Sequence, residues 1–382
     1  MKFRPFARIL LLAALAAQPA PAAAHIMTQA PPPHYRVFDA QGRPASVEQV
    51  VEALAAADVL FVGEAHDDAV AHLLEAELLR RAHERFGRPG AAGGGRRVAL
   101  SLEMFEADVQ VVLDEYAAGL ISERHFLLSS RPWRNYETDY RPLVEYARAQ
   151  GLPVIAANAP ARYVNRVAAH GPASLERLTA AAKAWLPPIP HAPASEEYAA
   201  KFRRFLAGET AGAASPHGPR ANQHPPATTH AATQDPAEAD SKPAAQQPAA
   251  QQSTPRHPAV QLPTDPQAAV RPNPHAAPSA HGGGGGSFLL DAQNLRDASM
   301  GYRLADFLGK SQGALVVHVN GKFHSEGRLG VPEQLARYRP QARAVVVTIL
   351  RGEGFPAYDA ARHAGLGDFV ILTDPAVPPS RQ

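Results

Sequence analysis

Four short apolar runs in this chain each end in a polar cluster. Val62 is followed by Gly63-Glu64-Ala65-His66-Asp67-Asp68, and Leu102 by Glu103-Met104. Ala157 is followed by Asn158-Ala-Pro-Ala-Arg162, and Val319 by Asn320-Gly321-Lys-Phe-His324. His66 and His324 with Glu64 and Glu103 make a divalent-metal set of imidazole and carboxylate. Such a set polarises a carbonyl or activates water, with Glu64 and Glu103 as the catalytic carboxylates. Each cluster alone has a plainer explanation. Glu64 and Asp67 can complement a helix N-terminus, Gly63 can serve a turn, and Glu103 can pair with a structural Arg. Asn158-Ala-Pro can be a strand-end turn with Pro opening a helix. Four clusters at equivalent strand ends favour a site.

A second feature is Arg131-Pro-Trp133-Arg134-Asn135-Tyr136-Glu-Thr-Asp139-Tyr140-Arg141. Ordinary packing of a loop, with Asp139 capping the next helix, accounts for it simply. The alternative is a platform for a flat anionic ligand: Arg meets carboxylates, aromatic rings stack, and Tyr can ligate iron. His72 and His83 are expected at or near the surface of a long helix. His318, between valines, reads as a satisfied core histidine. The chain contains no H-E-x-x-H, P-loop, G-x-G-x-x-G or G-x-S-x-G segment.

The elements that must position these residues alternate. Val59–Val62, Val98–Leu102, Pro153–Ala157, Ala314–Val319 and Ala344–Leu350 read as buried strands, and Phe369–Leu372 as an edge strand. Ala69–Phe86, Val109–Tyr116, Tyr140–Ala149, Ala161–Ala169, Ala292–Leu308 and Pro332–Tyr338 read as helices. This alternation predicts an α/β fold with a single open, mostly parallel sheet flanked by helices. Ligands of such sheets bind outside the carboxyl ends of the strands, where all four clusters fall.

The chain has 382 residues, no cysteine, and a formal net charge of +2. That charge gives no reason to expect a nucleic-acid partner, and the missing thiols exclude disulfides and thiolate metal sites. Lys2, Arg4 and Arg8 before the apolar run Ile9–Ala17 and a small-residue stretch predict a signal peptide over 1–24. The expected location is periplasmic or secreted. There is no Cys to acylate, so a lipoprotein is not expected, nor is a transmembrane segment in the mature chain. Residues 211–286 hold 14 of the 37 prolines, six of the 17 histidines and no aromatic residue. A segment this poor in apolar bulk is predicted to be a disordered insertion. It divides one domain into two parts, 25–210 and 287–375, before a tail over 376–382.

The residues also resemble a known family. Gly63-Glu-Ala-His66-Asp67, Leu102-Glu103-Met104-Phe105, Trp133 with Asp139-Tyr140-Arg-Pro-Leu, Ala156-Ala-Asn158-Ala-Pro160 and Gly321-Lys-Phe-His324 look like the ChaN haem-binding uptake proteins of the Tiki superfamily. Gln293-Asn-Leu-Arg-Asp297-Ala-Ser-Met300 and Gly330-Val-Pro332 match the same pattern. The resemblance covers roughly residues 55–206 and 287–350. It implies a fold of the erythromycin-esterase/TraB/Tiki type and haem binding linked to iron acquisition, with haem expected at the C-terminal edge of the α/β sheet. It also implies a homodimer with paired haem at its interface. Under it, Trp133, Arg134, Tyr136, Tyr140, Asn158, Arg162 and Tyr302 are the cofactor-binding residues. The axial ligand stays open among Tyr136, Tyr140, Tyr163 and Tyr302. Tiki relatives are metal-dependent proteases, so the same likeness carries a divalent-metal hydrolase alternative on Glu64, His66, Glu103 and His324. The chain departs from the family in lacking a lipid-acceptor Cys and in its long insertion.

Overall fold

Unbroken apolar runs, rather than alternating ones, mark strands covered on both faces, and they dominate this chain. The computed structural model describes residues 34–90, 94–208 and 288–380. The expected signal peptide and insertion lie outside the described residues. The strands are β1 (Tyr35–Asp39), β2 (Pro44–Ala45), β3 (Val59–Glu64), β4 (Val98–Glu106), β5 (Val154–Asn158), β6 (Leu315–Gly321), β7 (Ala344–Arg351) and β8 (Phe369–Thr373). They form one sheet in the order β2-β1-β8-β7-β3-β6-β4-β5. The six strands from β8 to β5 run parallel, and β1 joins β8 antiparallel. The fold is therefore the expected open α/β sheet. Strands from the two segments interleave: β3, from the first, lies between β6 and β7, from the second.

The helices are α1 (Val47–Ala53), α2 (Ala69–Ala82), α3 (Gln110–Ala117), α4 (Glu123–Ser130), α5 (Arg141–Ala149), α6 (Ala161–His170), α7 (Ala180–Lys183), α8 (Glu196–Leu206), α9 (Leu289–Lys310), α10 (Val331–Tyr338) and α11 (Ala360–His363). Strand alternation splits the core in two. Leu60, Val62, Leu100, Leu102, Val317 and Val319 pack with Leu74 and Leu78 of α2 and Leu143 and Val144 of α5. Val59, Phe61, Ala99 and Val316 pack with Met300 and Leu304 of α9 and Leu335 of α10. Each Val, Leu, Phe or Met side chain among these contributes about 1.5–3 kcal/mol when fully buried.

Two expectations change here. β8 is an interior strand, because the unforeseen β1–β2 hairpin pairs along its outer side. Asp139 does not cap α5; it lies in a five-residue π turn, Tyr136–Tyr140, that leads into that helix.

Candidate functional site

Asp68 sets the start of α2, its Oδ1 accepting from the N–H groups of Val70 and Ala71 at 3.0 and 3.2 Å. Its Oδ2 accepts from the Thr373 hydroxyl at 2.5 Å, tying the helix to β8. Asp68 thus fills the N-terminal role considered above for Glu64 and Asp67, and Glu64 turns to other partners.

Glu64, the last residue of β3, is buried. Its Oε1 accepts from the Tyr140 hydroxyl at 2.7 Å and lies 2.9 Å from His66 Nδ1. Its Oε2 lies 3.1 Å from Nδ1 of His72, in the first turns of α2. The same Nδ1 is 3.5 Å from Glu75 Oε2, and His72 Nε2 is 3.3 Å from Asp139 Oδ2. Asn135 donates to Asp139 Oδ2 at 2.7 Å and to the His66 carbonyl at 3.1 Å. Burial works to raise the Glu64 pKa, but His72 and His66 hold it well below the usual carboxylate range. Burial opposes the charging of His66 and His72, yet the carboxylates around them raise both. Glu75 is pushed up by burial and by the charge of Glu64.

A second group forms at the ends of β4 and β6. Glu103 Oε2 accepts from the Gly321 N–H at 2.7 Å, and its Oε1 lies 3.3 Å from His324 Nε2. His324 Nδ1 is 2.6 Å from Asp297 Oδ1 on α9. Burial opposes protonation of His324, but Glu103 and Asp297 outweigh it and push the imidazole up to about 10. Glu103 is held low despite its burial, chiefly by His324. This acid–imidazole–acid row can hold or move a proton, or hold a cation.

The two Gly-x-x-His segments interlock. A Cβ on Gly321 would lie 2.7 Å from the Cε1 and Nε2 atoms of His66. A Cβ on Gly63 would lie 2.8 Å from Ser325 Oγ and 3.0 Å from the Lys322 Cα. Each glycine therefore makes room for the other segment.

The remaining residues separate. Trp133 meets His66 edge-on with ring centroids 4.7 Å apart, and Arg134 beside it is exposed. Tyr140 belongs to the Glu64 group, whereas Tyr136 lies in the core against Phe105 and Phe126. Asn158 is buried at the end of β5, its Oδ1 3.4 Å from a guanidinium nitrogen of the buried Arg296. Arg162 is exposed, pairs with Asp108, and lies 4.4 Å over the Tyr163 ring. Tyr302 sits elsewhere, lining a cavity of about 330 Å³ with Lys183, Leu186, Pro187, Pro188 and Ile189.

The four proposed metal residues thus form two pairs, Glu64 with His66 and Glu103 with His324. The three donors that come within 4.8 Å of one another, among the described residues, are on Glu64, His72 and Glu75. His72 and Glu75 escaped sequence reasoning, which put His72 near the surface; it is 5% exposed. His83 is buried too, 3.0 Å from the Tyr146 hydroxyl. The available signal was the spacing Asp68, His72, Glu75, which places three polar residues on one helix face. His318 is the core residue expected, its Nδ1 2.9 Å from Ser101 Oγ.

An open α/β sheet with buried imidazoles and carboxylates at the carboxyl ends of its strands defines the structural class. The chain belongs to the ChaN haem-binding uptake family of the Tiki superfamily, whose family model matches residues 50–335. The fold resembles a solved structure of ChaN from Campylobacter jejuni with cofacial heme, at a TM-score of 0.51 and 13% identity, covering 89% of this chain and 97% of that one. RETICULATA-RELATED 5, chloroplastic, of Arabidopsis thaliana is 30% identical over 151 residues, 36% of this chain and 19% of that protein. The chain spans about a fifth of the length of that curated relative. Among the described residues no helix is long and apolar enough to cross a membrane.

Proposed function

We propose that this chain is an exported haem-binding protein of iron uptake, periplasmic or secreted once residues 1–24 are removed, and that it pairs haem between two copies. The family match across residues 50–335 carries this reading. The likeness in fold to a ChaN that binds heme cofacially supports it. Haem iron accepts a Tyr or His ligand. The phenols of Tyr136 and Tyr140 are enclosed and fit the core and Glu64 respectively. Tyr163 and Tyr302 are half-buried, and Tyr302 shares its cavity with Lys183, a partner for a propionate. Either can reach a ligand lying on the surface. Haem would supply redox-active iron; Tyr302 or Tyr163 would supply the phenol, Lys183 the cation, and Leu186, Pro187, Pro188 and Ile189 the apolar wall beside Tyr302.

Hemin titration of Tyr302→Phe and Tyr163→Phe beside the wild type tests the site. Loss of the saturable Soret change in one variant identifies the ligand. Unchanged binding in both contradicts a tyrosine ligand at these positions, and mass measurement with and without hemin tests the dimer.

The interlocked Gly-x-x-His segments favour a second reading, a divalent-metal-dependent hydrolase. Glu64, His66, Glu103 and His324 have the right donor chemistry, and a bound cation would supply Lewis acidity there. Peptide or ester hydrolysis lost in His66→Ala supports it, whereas equal activity in that variant contradicts it.

A further inference from the structure

His72 presents one nitrogen to Glu64 and Glu75 and the other to Asp139. None of His72 Nδ1, Glu64 Oε2 and the two Glu75 oxygens has a hydrogen-bond partner, and all are buried. Glu75 lacks a donor on both oxygens and Glu64 lacks one on Oε2; in a dry interior this is costly, and the single Nδ1 of His72 cannot satisfy both carboxylates. The separations of 3.1 and 3.5 Å from His72 Nδ1 to the two glutamate oxygens are those of neighbouring donors around one ion. Metal bonds of about 2.0–2.2 Å put adjacent donors about 2.9–3.5 Å apart. The outer groups also suit a metal. Asp139 faces the other nitrogen of His72 at 3.3 Å and is itself held by Asn135. Carboxylates commonly orient ligand histidines in this way. Glu64 keeps its second oxygen on the Tyr140 hydroxyl, which fixes the first toward the cluster.

We infer that Glu64 Oε2, His72 Nδ1 and Glu75 form a buried divalent-cation site at the start of α2, taking an ion of mixed nitrogen and oxygen preference such as Zn²⁺, Mn²⁺ or Fe²⁺. One imidazole with two carboxylates selects that class over Cu(I), which prefers sulfur. The site is separate from the Glu103–His324 pair and does not depend on haem binding.

Titration of chelator-stripped full-length protein with Co²⁺, followed by visible absorption and metal analysis, tests the site. The expected result is one Co²⁺ per chain, with binding weakened at least about tenfold in Glu75→Gln and His72→Gln. Asp139→Asn weakens binding without changing the stoichiometry. Glu103→Gln and His324→Gln retain the ion, which separates this site from the hydrolase set. Absence of bound Co²⁺ overturns the inference, as does binding unchanged in folded Glu75→Gln and His72→Gln or lost only in the Glu103 and His324 variants. If the α2 variants do not fold, anomalous scattering from Co²⁺-soaked wild-type crystals decides. A peak among Glu64, His72 and Glu75 supports the site, and a peak elsewhere or none refutes it. Hemin titration of the same samples keeps failure of the haem reading distinct.

Discussion

The imidazole of His66 occupies the space that a side chain on Gly321 would need. Its Cε1 and Nε2 atoms stand 2.7 Å from where a Cβ would be, and the Gly321 N–H is committed to Glu103. This contact joins the ends of β3 and β6 and explains the glycine at 321, while Gly63 makes room for Lys322 and Ser325 of the other segment. Gly321→Ala forces the ring or the strand end to move, and overpacking of this kind costs about 1–3 kcal/mol. Denaturant unfolding of the variant should show a loss of that size; wild-type stability would contradict the interlock.

The Tyr140 hydroxyl is buried and donates to an ionised Glu64. Tyr140→Phe leaves that oxygen short of a donor. The expected loss is about 1.5–3 kcal/mol, as for hydrogen bonds to charged groups, measured by the same unfolding experiment.

His318 and His324, six positions apart, respond to pH in opposite senses. Burial pushes His318 down to about 3, so it folds neutral. As pH falls from about 6.5 toward 3 the unfolded chain takes a proton that the folded one refuses, and stability declines. His324 is raised to about 10. Its contribution is fully present below about pH 6.5 and is lost as pH rises through 10. Each limb has a slope of up to about 1.4 kcal/mol per pH unit. Melting temperature against pH should fall on both sides of about 6.5, with the alkaline limb flattened in His324→Gln. A variant that keeps the wild-type alkaline limb would contradict the assignment.

Because β3 lies between β6 and β7, neither chain segment owns a complete sheet. Expressed alone, residues 25–210 lack both neighbours of β3, and residues 287–375 lack the strand that joins β6 to β7. Each fragment should show no cooperative unfolding transition; mixing them is the route to a folded unit. A cooperative melt from either fragment alone would contradict the single-sheet account.

Much of this was legible because doubly buried strands leave continuous apolar runs, as in Val59–Val62 and Val154–Ala157. The polar residues that stop those runs mark the site for the same reason. The β1–β2 hairpin was not legible, since only Val37 and Phe38 of β1 are buried and its pattern is mixed. His72 and Glu75 were hidden because a polar residue on a helix reads as solvent-facing until its partners across the fold are known. Asp297 lay in a matched motif, but its role depends on α9 bringing it to 2.6 Å from His324, a distance no local spacing encodes. Tyr136 and Tyr302 were grouped by type with Tyr140, and packing sent them to three different places.

The most direct test of the central claim is hemin titration of the purified full-length protein, with metal analysis on the same sample. Haem uptake as proposed predicts a saturable Soret change, iron in proportion to the porphyrin bound, and stoichiometric binding to a dimer. A change that never saturates, or iron that does not track the porphyrin, would contradict it.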